Sequence, residues 1–147
     1  FIIKSTRSMK KINYFFVDTP EAKKILPKKS WILGCVEKEN CKVLKIDFMF
    51  CSDIYLKKLN QKYLNHNTLT DVITLDYSIK KQLLGDVFIS LDRIKENAKT
   101  YQTTFKKEMA RVMIHGVLHL MGYKDKSEKE KKIMVKMENK CLDEKNI

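Results

Sequence analysis

The chain carries three histidines, His66, His115 and His119, and two of them stand four residues apart in His115-Gly-Val-Leu-His119. Residues at i and i+4 share one face of a helix, so both imidazoles can reach the same point. That is the ligand spacing of the helical zinc motifs. A lone histidine there reads best as a core residue satisfied by hydrogen bonds. A pair at this spacing, followed by a helix stop at Gly122, favours a metal. The third ligand expected is Asp125, six residues after His119 and beyond Gly122. A chain that reverses at Gly122 can return its carboxylate to the imidazoles; the plainer alternative is a solvated turn residue between Lys124 and Lys126. Two histidines and one aspartate leave a fourth zinc position open, as catalytic sites do. Zinc lowers the pKa of water in that position to around 7. Gly116 occupies the place where HExxH peptidases carry their glutamate base, which argues against a peptidase of that type.

The elements that position these residues follow from periodicity. Ile12–Val17 is rich in β-formers and predicts a strand closed by Asp18-Thr19-Pro20. Trp31, Ile32, Cys35 and Val36 share one face of a helix from Lys29 to about Glu39. Residues 42–50 alternate as a strand. Ser52 or Asp53 then caps a helix whose apolar face is Ile54, Tyr55, Leu59 and Tyr63. A polar loop at 65–68 leads to short strands at 72–75 and 84–90, with Gly85 and Asp86 expected at a strand start, Asp86 holding a turn. Helical spacing resumes from Leu91 to Tyr101. Thr104 caps a helix of about 105–121 that is apolar nearly all round and so belongs in the core. Gly122 ends it, and the capping box Ser127/Glu130 opens a last helix to Leu142 with apolar face Ile133, Met134, Met137 and Cys141. The expected fold is a single α+β domain, a mixed sheet of about four strands with a buried central helix carrying the metal ligands.

At 147 residues the chain suits one domain. No apolar run approaches the roughly 18–20 residues of a membrane helix. Lysine plus arginine is 30 against 18 acids, a net charge of +12, which attracts polyanions. Arginine occurs at Arg7, Arg93 and Arg111, and the remaining 27 basic residues are lysines. Lysine is a point charge rather than a bidentate base reader, so backbone attraction to a nucleic acid is expected over base readout. Lys62, His66, Lys124 and Lys126 are the candidate RNA contacts. Tyr55, Tyr63, Tyr77 and Tyr123 can stack bases, although Tyr55 and Tyr63 are placed on a core face. Cys35, Cys41, Cys51 and Cys141 form no CxxC pair and read as small buried hydrophobes of a reducing compartment. Residues 1–8 precede Met9-Lys10-Lys11 and read as a tag or upstream extension, with the domain at 9–147. No targeting signal is visible, so a cytoplasmic location is expected.

His115-Gly-Val-Leu-His119-Leu-Met-Gly-Tyr123 resembles the signature of the YbeY family, bacterial metal-dependent endoribonucleases. Leu59-Asn60, Thr70-Asp71-Val72-Ile73-Thr74, Gly85-Asp86-Val87-Phe88-Ile89-Ser90 and Glu108 are similar to the same family, and the likeness runs from about Ile12 to Leu142. The resemblance implies an α+β fold with one zinc ion per chain at the mouth of a basic cleft. It also implies cutting of single-stranded RNA in ribosomal RNA maturation and ribosome quality control. The partners implied are the small ribosomal subunit and its RNA, with no membrane and no DNA specificity. Two positions depart from the family. Its usual third ligand is a histidine where this chain has Asp125, and its usual arginine after the Leu-Asn helix falls on Leu64. Asp71 reads as a brace beside the site, or as a bond to a ligand imidazole. No side chain can be named as general acid or base. A different class of reading is a ribosome-assembly factor that binds RNA without cutting it and holds a structural metal.

Overall fold

The computed structural model describes residues 11–21, 23–64 and 70–143. Its elements follow the periodicity to within one or two residues, apart from a short 3-10 turn at Lys23–Ile25 that no pattern announced. The strands are β1 (Ile12–Phe16), β2 (Lys42–Cys51), β3 (Val72–Asp76) and β4 (Gln82–Ser90). The helices are α1 (Lys29–Lys38), α2 (Asp53–Leu64), α3 (Leu91–Thr100), α4 (Phe105–Leu120) and α5 (Glu128–Leu142). The strands form one sheet in the order β1-β2-β4-β3. β1, β2 and β4 are parallel and β3 runs antiparallel to β4, so the sheet is mixed as expected.

Successive residues of a strand point to opposite faces, and here both faces are covered. Ile46, Phe48 and Phe50 of β2 and Val87 and Ile89 of β4 face one cluster, which α1, α3, α4 and α5 complete. Met49, Cys51 and Phe88 face the other, closed by Leu56 of α2. Among the described residues, the helix capped by Ser52 is therefore alone on its side of the sheet. Half of the expected face packs there: Tyr55 and Leu59 lie against the cluster beside the buried Leu56 and Asn60, while Ile54 and Tyr63 are 70% and 50% exposed. The inward stripe of α2 is centred on positions 56 and 60, four apart, so residues at its margins turn outward. Ile133 of α5 is likewise exposed, and the buried stripe there is Met134, Glu138 and Cys141.

Asp86 lies in the middle of β4 rather than at a turn, opposite Asp47 of β2 and Leu75 of β3. The strand begins three residues before Gly85, at Gln82, because the β3–β4 hairpin closes through Ile79 and Gln82. Cys35, Cys51 and Cys141 are buried thiols outside any disulfide among the described residues, and Cys41 is half-buried. Burial, then the neighbouring carboxylates, push the Cys51 thiol up to about 12. Among the described residues no helix is long and apolar enough to cross a membrane. The proposed extension at residues 1–8 lies outside the described residues.

Candidate metal centre

α4 is held against β3 and β4 by a glycine. A Cβ on Gly116 would meet Val87 Cγ1 at 2.7 Å, so a side chain at this position would push the helix off the sheet. The position after His115 therefore packs inward, where a catalytic base has no access to solvent. On the opposite stripe of α4 stand Glu108, Arg111, His115 and His119, three or four residues apart, as i, i+3 and i+4 neighbours must be. The peptidase-type glutamate is thus replaced by a packing residue, and the two histidines share the outer stripe.

The end of α4 brings the third residue back. Gly122 has φ +103°, a left-handed conformation that glycine adopts without steric cost. The Tyr123 amide donates to the Leu118 carbonyl at 3.0 Å and the Gly122 amide to the His119 carbonyl at 3.0 Å. That pairing is a Schellman motif, which satisfies the last carbonyls and reverses the chain. Reversal places the Tyr123 carbonyl 3.0 Å from His119 Nδ1. It also sets Asp125 Oδ2 3.2 Å from His115 Nε2 and 3.3 Å from His119 Nε2. Tyr123 is anchored from the far side, its phenol donating to Glu39 Oε1 at 2.6 Å. That hydrogen bond, then burial, push the phenol up to about 12.

The hydrogen bonds at Nδ1 decide what Nε2 can do. A carbonyl only accepts, so His119 carries its proton on Nδ1. His115 Nδ1 lies 2.7 Å from Glu138 Oε2, and a carboxylate there holds the proton on Nδ1 as well. In neutral imidazoles both Nε2 lone pairs then point outward, 3.0 Å apart, beside the Asp125 oxygen. Three acceptors so close repel unless positive charge lies among them. A tetrahedral ion with ligands at about 2.0–2.1 Å spaces its donor atoms about 3.3 Å apart, close to what is found here. The donor set thus fits a borderline-soft divalent ion such as zinc. His115, His119 and Asp125 form the metal-capable cluster among the described residues. Their side chains are 21%, 28% and 38% exposed, so the cluster faces solvent instead of being sealed in the core.

A cavity of about 270 Å³ opens beside it, lined by Asp71, Val72, Glu108, Arg111, Val112, His115, Asp125 and Glu138. Asp71 accepts from Asn97 Nδ2 at 3.2 Å, and burial holds its carboxyl above the usual range against the lowering charge of His115. Burial raises Glu108 in the same way, with Arg111 opposing. Burial alone would lower His115. The hydrogen bond and charge of Glu138, with Asp125 and Asp71, outweigh it and raise the imidazole above its ordinary value.

The structure thus gathers His115, His119 and Asp125, with Lys124 and Lys126 exposed on either side of Asp125. It does not bring Lys62 to them: that lysine lies in the last turn of α2, across the sheet, with Nζ 5.4 Å from the Tyr63 ring centre. His66 lies outside the described residues. Tyr55 packs on Phe88 with ring centres 6.4 Å apart, whereas Tyr77 is exposed. The residue that periodicity missed is Glu138. Its signal was present, because a glutamate four residues after Met134 and three before Cys141 falls in the apolar stripe of α5. A buried acid without a partner is costly, so one was required. The partners are Arg111, whose Nη1 donates to Oε1 at 2.8 Å, and His115.

The family model described as Endoribonuclease YbeY matches residues 17–146. Proteins named Endoribonuclease YbeY are similar along most of their length. The one from Karelsulcia muelleri is 53% identical over 74% of this chain and 77% of its own. The one from Amoebophilus asiaticus is 46% identical over 86% of this chain and 88% of its own. That from Flavobacterium psychrophilum is 46% identical over 77% and 81%. The solution structure of TM1509 from Thermotoga maritima superposes with a TM-score of 0.65 at 26% identity, covering 89% of this chain and 86% of that one. With the His115/His119 helix, the reversal at Gly122 and a match spanning nearly the whole sequence, the chain belongs to the YbeY endoribonuclease family.

Proposed function

We propose that this chain is a metal-dependent endoribonuclease that cuts single-stranded ribosomal RNA, with one zinc ion held by His115, His119 and Asp125. The observation that carries the reading is the convergence of two Nε2 atoms and one carboxylate oxygen, 3.0–3.3 Å apart, at an open cavity. Structural zinc sites are closed, whereas catalytic ones keep an accessible position. The solvent-facing ligands therefore favour catalysis over an assembly factor with a structural metal. When bound, the ion supplies Lewis acidity, polarising a phosphoryl oxygen and acidifying water.

The protein's own groups supply the rest. Glu138 and the Tyr123 carbonyl hold the imidazoles with Nε2 turned toward Asp125, where the ion would be held. Lys124 and Lys126, both exposed, attract the RNA backbone beside Asp125. Asp71 lines the cavity with His115 and is braced by Asn97 Nδ2 at 3.2 Å, which sets its carboxyl beside the ligands. The family assignment supports maturation of small-subunit ribosomal RNA and ribosome quality control as the setting, and the cytoplasm as the place.

The test is zinc per chain and cutting of a labelled single-stranded RNA, for wild type beside Asp125→Ala. Expected are about one zinc in wild type, largely lost in the variant, and cutting that stops on chelation and returns with zinc. Equal zinc in both proteins would remove Asp125 from the ligand set. Tight RNA binding without any cutting in the loaded wild type would favour the assembly factor.

A further inference from the structure

We propose that the groove between the first two turns of α4 and the last two turns of α5 binds the nucleotides flanking the cut, so that the RNA strand leaves the metal centre along it. The inference rests on the reading that the substrate is single-stranded RNA. The groove has a volume of about 910 Å³. That is near the upper end of the roughly 300–1,000 Å³ of sites for drug-sized ligands, a size suited to more than one base. It adjoins the metal cavity, because Glu108, Arg111 and Glu138 line both. The shared wall contains the pair that orients His115, Arg111 bonded to Glu138 at 2.8 Å. A strand lying in the groove therefore runs past the group that fixes one metal ligand.

The lining has the two chemistries a single strand needs. Ala110, Val135 and Leu142 give an apolar wall. Val135 is 49% exposed and Tyr101 at the groove edge 68%, an aliphatic and an aromatic surface left to water where a base can cover them. Lys106 and Lys107 stand exposed on the rim, and neither side chain is held in an ion pair among the described residues. The positive end of the α4 dipole, capped by Thr104, opens on the same rim. Of the acids of the wall, Glu108 and Glu138 are buried, and Glu138 accepts from Arg111 at 2.8 Å.

The test is fluorescence anisotropy on the full zinc-loaded chain with a labelled 2′-O-methyl oligouridylate of about 12 nucleotides, its intactness checked on a gel. Lys106→Glu/Lys107→Glu should weaken binding about ten-fold or more and flatten the log–log salt slope by about 1.4, two phosphates at about 0.7 each. Tyr101→Ala should weaken it about ten-fold through lost stacking. Lys57→Glu/Lys58→Glu on α2 makes the same charge change across the sheet and should weaken binding much less. Zinc per chain, measured on every variant, reports an intact fold. Equal weakening by the two lysine pairs, with wild type still cutting RNA, would overturn the groove and leave the nuclease reading standing. Wild type that neither binds nor cuts RNA would overturn both.

Discussion

Glu138 Oε2 lies 2.7 Å from His115 Nδ1, so a carboxylate from the last helix orients an imidazole of the central one. The same carboxylate accepts from Arg111 Nη1 at 2.8 Å, and Arg111 Nη2 donates to Asn139 Oδ1 at 3.2 Å. Glu138 is 6% exposed, so its position is set by packing rather than by solvent. α5 is thereby part of the site although it contributes no ligand.

Glu138→Gln keeps the shape and removes the charge that fixes the His115 tautomer. Loss of such a partner costs about 10–100-fold in metal affinity. Competition with a fluorescent zinc chelator should show that loss, with circular dichroism unchanged. An affinity within two-fold of wild type would mean that Glu138 serves Arg111 and the fold rather than the ligand.

The stability of the metal-free and metal-loaded chains should respond to pH with opposite sign. The folded-state pKa of His115 is raised above its ordinary 6.5, so the apo fold binds more protons than the unfolded chain. That contribution is fully present below the unfolded value and is lost as pH rises through the folded one. The raised carboxyls of Asp71 and Glu108 act in the same direction at lower pH. Urea midpoints of chelated protein should therefore fall between about pH 6 and pH 8. Zinc-loaded protein should gain over the same range, because protons compete for the imidazoles. A midpoint for the chelated chain that rises with pH would show that Glu138 does not hold His115 protonated.

Gly116→Ala tests the seating of α4. Its Cβ would stand 2.7 Å from Val87 Cγ1 and 3.3 Å from Val87 Cγ2, inside a packed wall that must shift. Overpacking of this kind costs about 1–3 kcal/mol, against the small gain alanine brings to an exposed helix. The urea midpoint should fall while the slope of the transition stays the same. A stabilised variant would mean that α4 can slide on the sheet, and zinc affinity would then be expected to survive unchanged.

Much of this protein was already written in local pattern. Alternation over residues 42–50 and helical spacing over 105–121 mark the strands and helices, because each depends on neighbours only a few positions away. Gly122 marks the reversal for the same local reason, and the His115/His119 spacing with Asp125 six residues on marks the metal-capable cluster. What the tertiary structure decided is every relationship between elements. Periodicity says that α2 has an inward face, but its packing on the sheet decides that Leu56 and Asn60 turn in while Tyr63 turns out. Asp71 and Asn97 are 26 residues apart and Glu138 and His115 are 23 apart, and no local rule pairs them. Three helices packed on one sheet, α3, α4 and α5, brought them together, and the cost of burying a lone carboxylate made the pairing necessary.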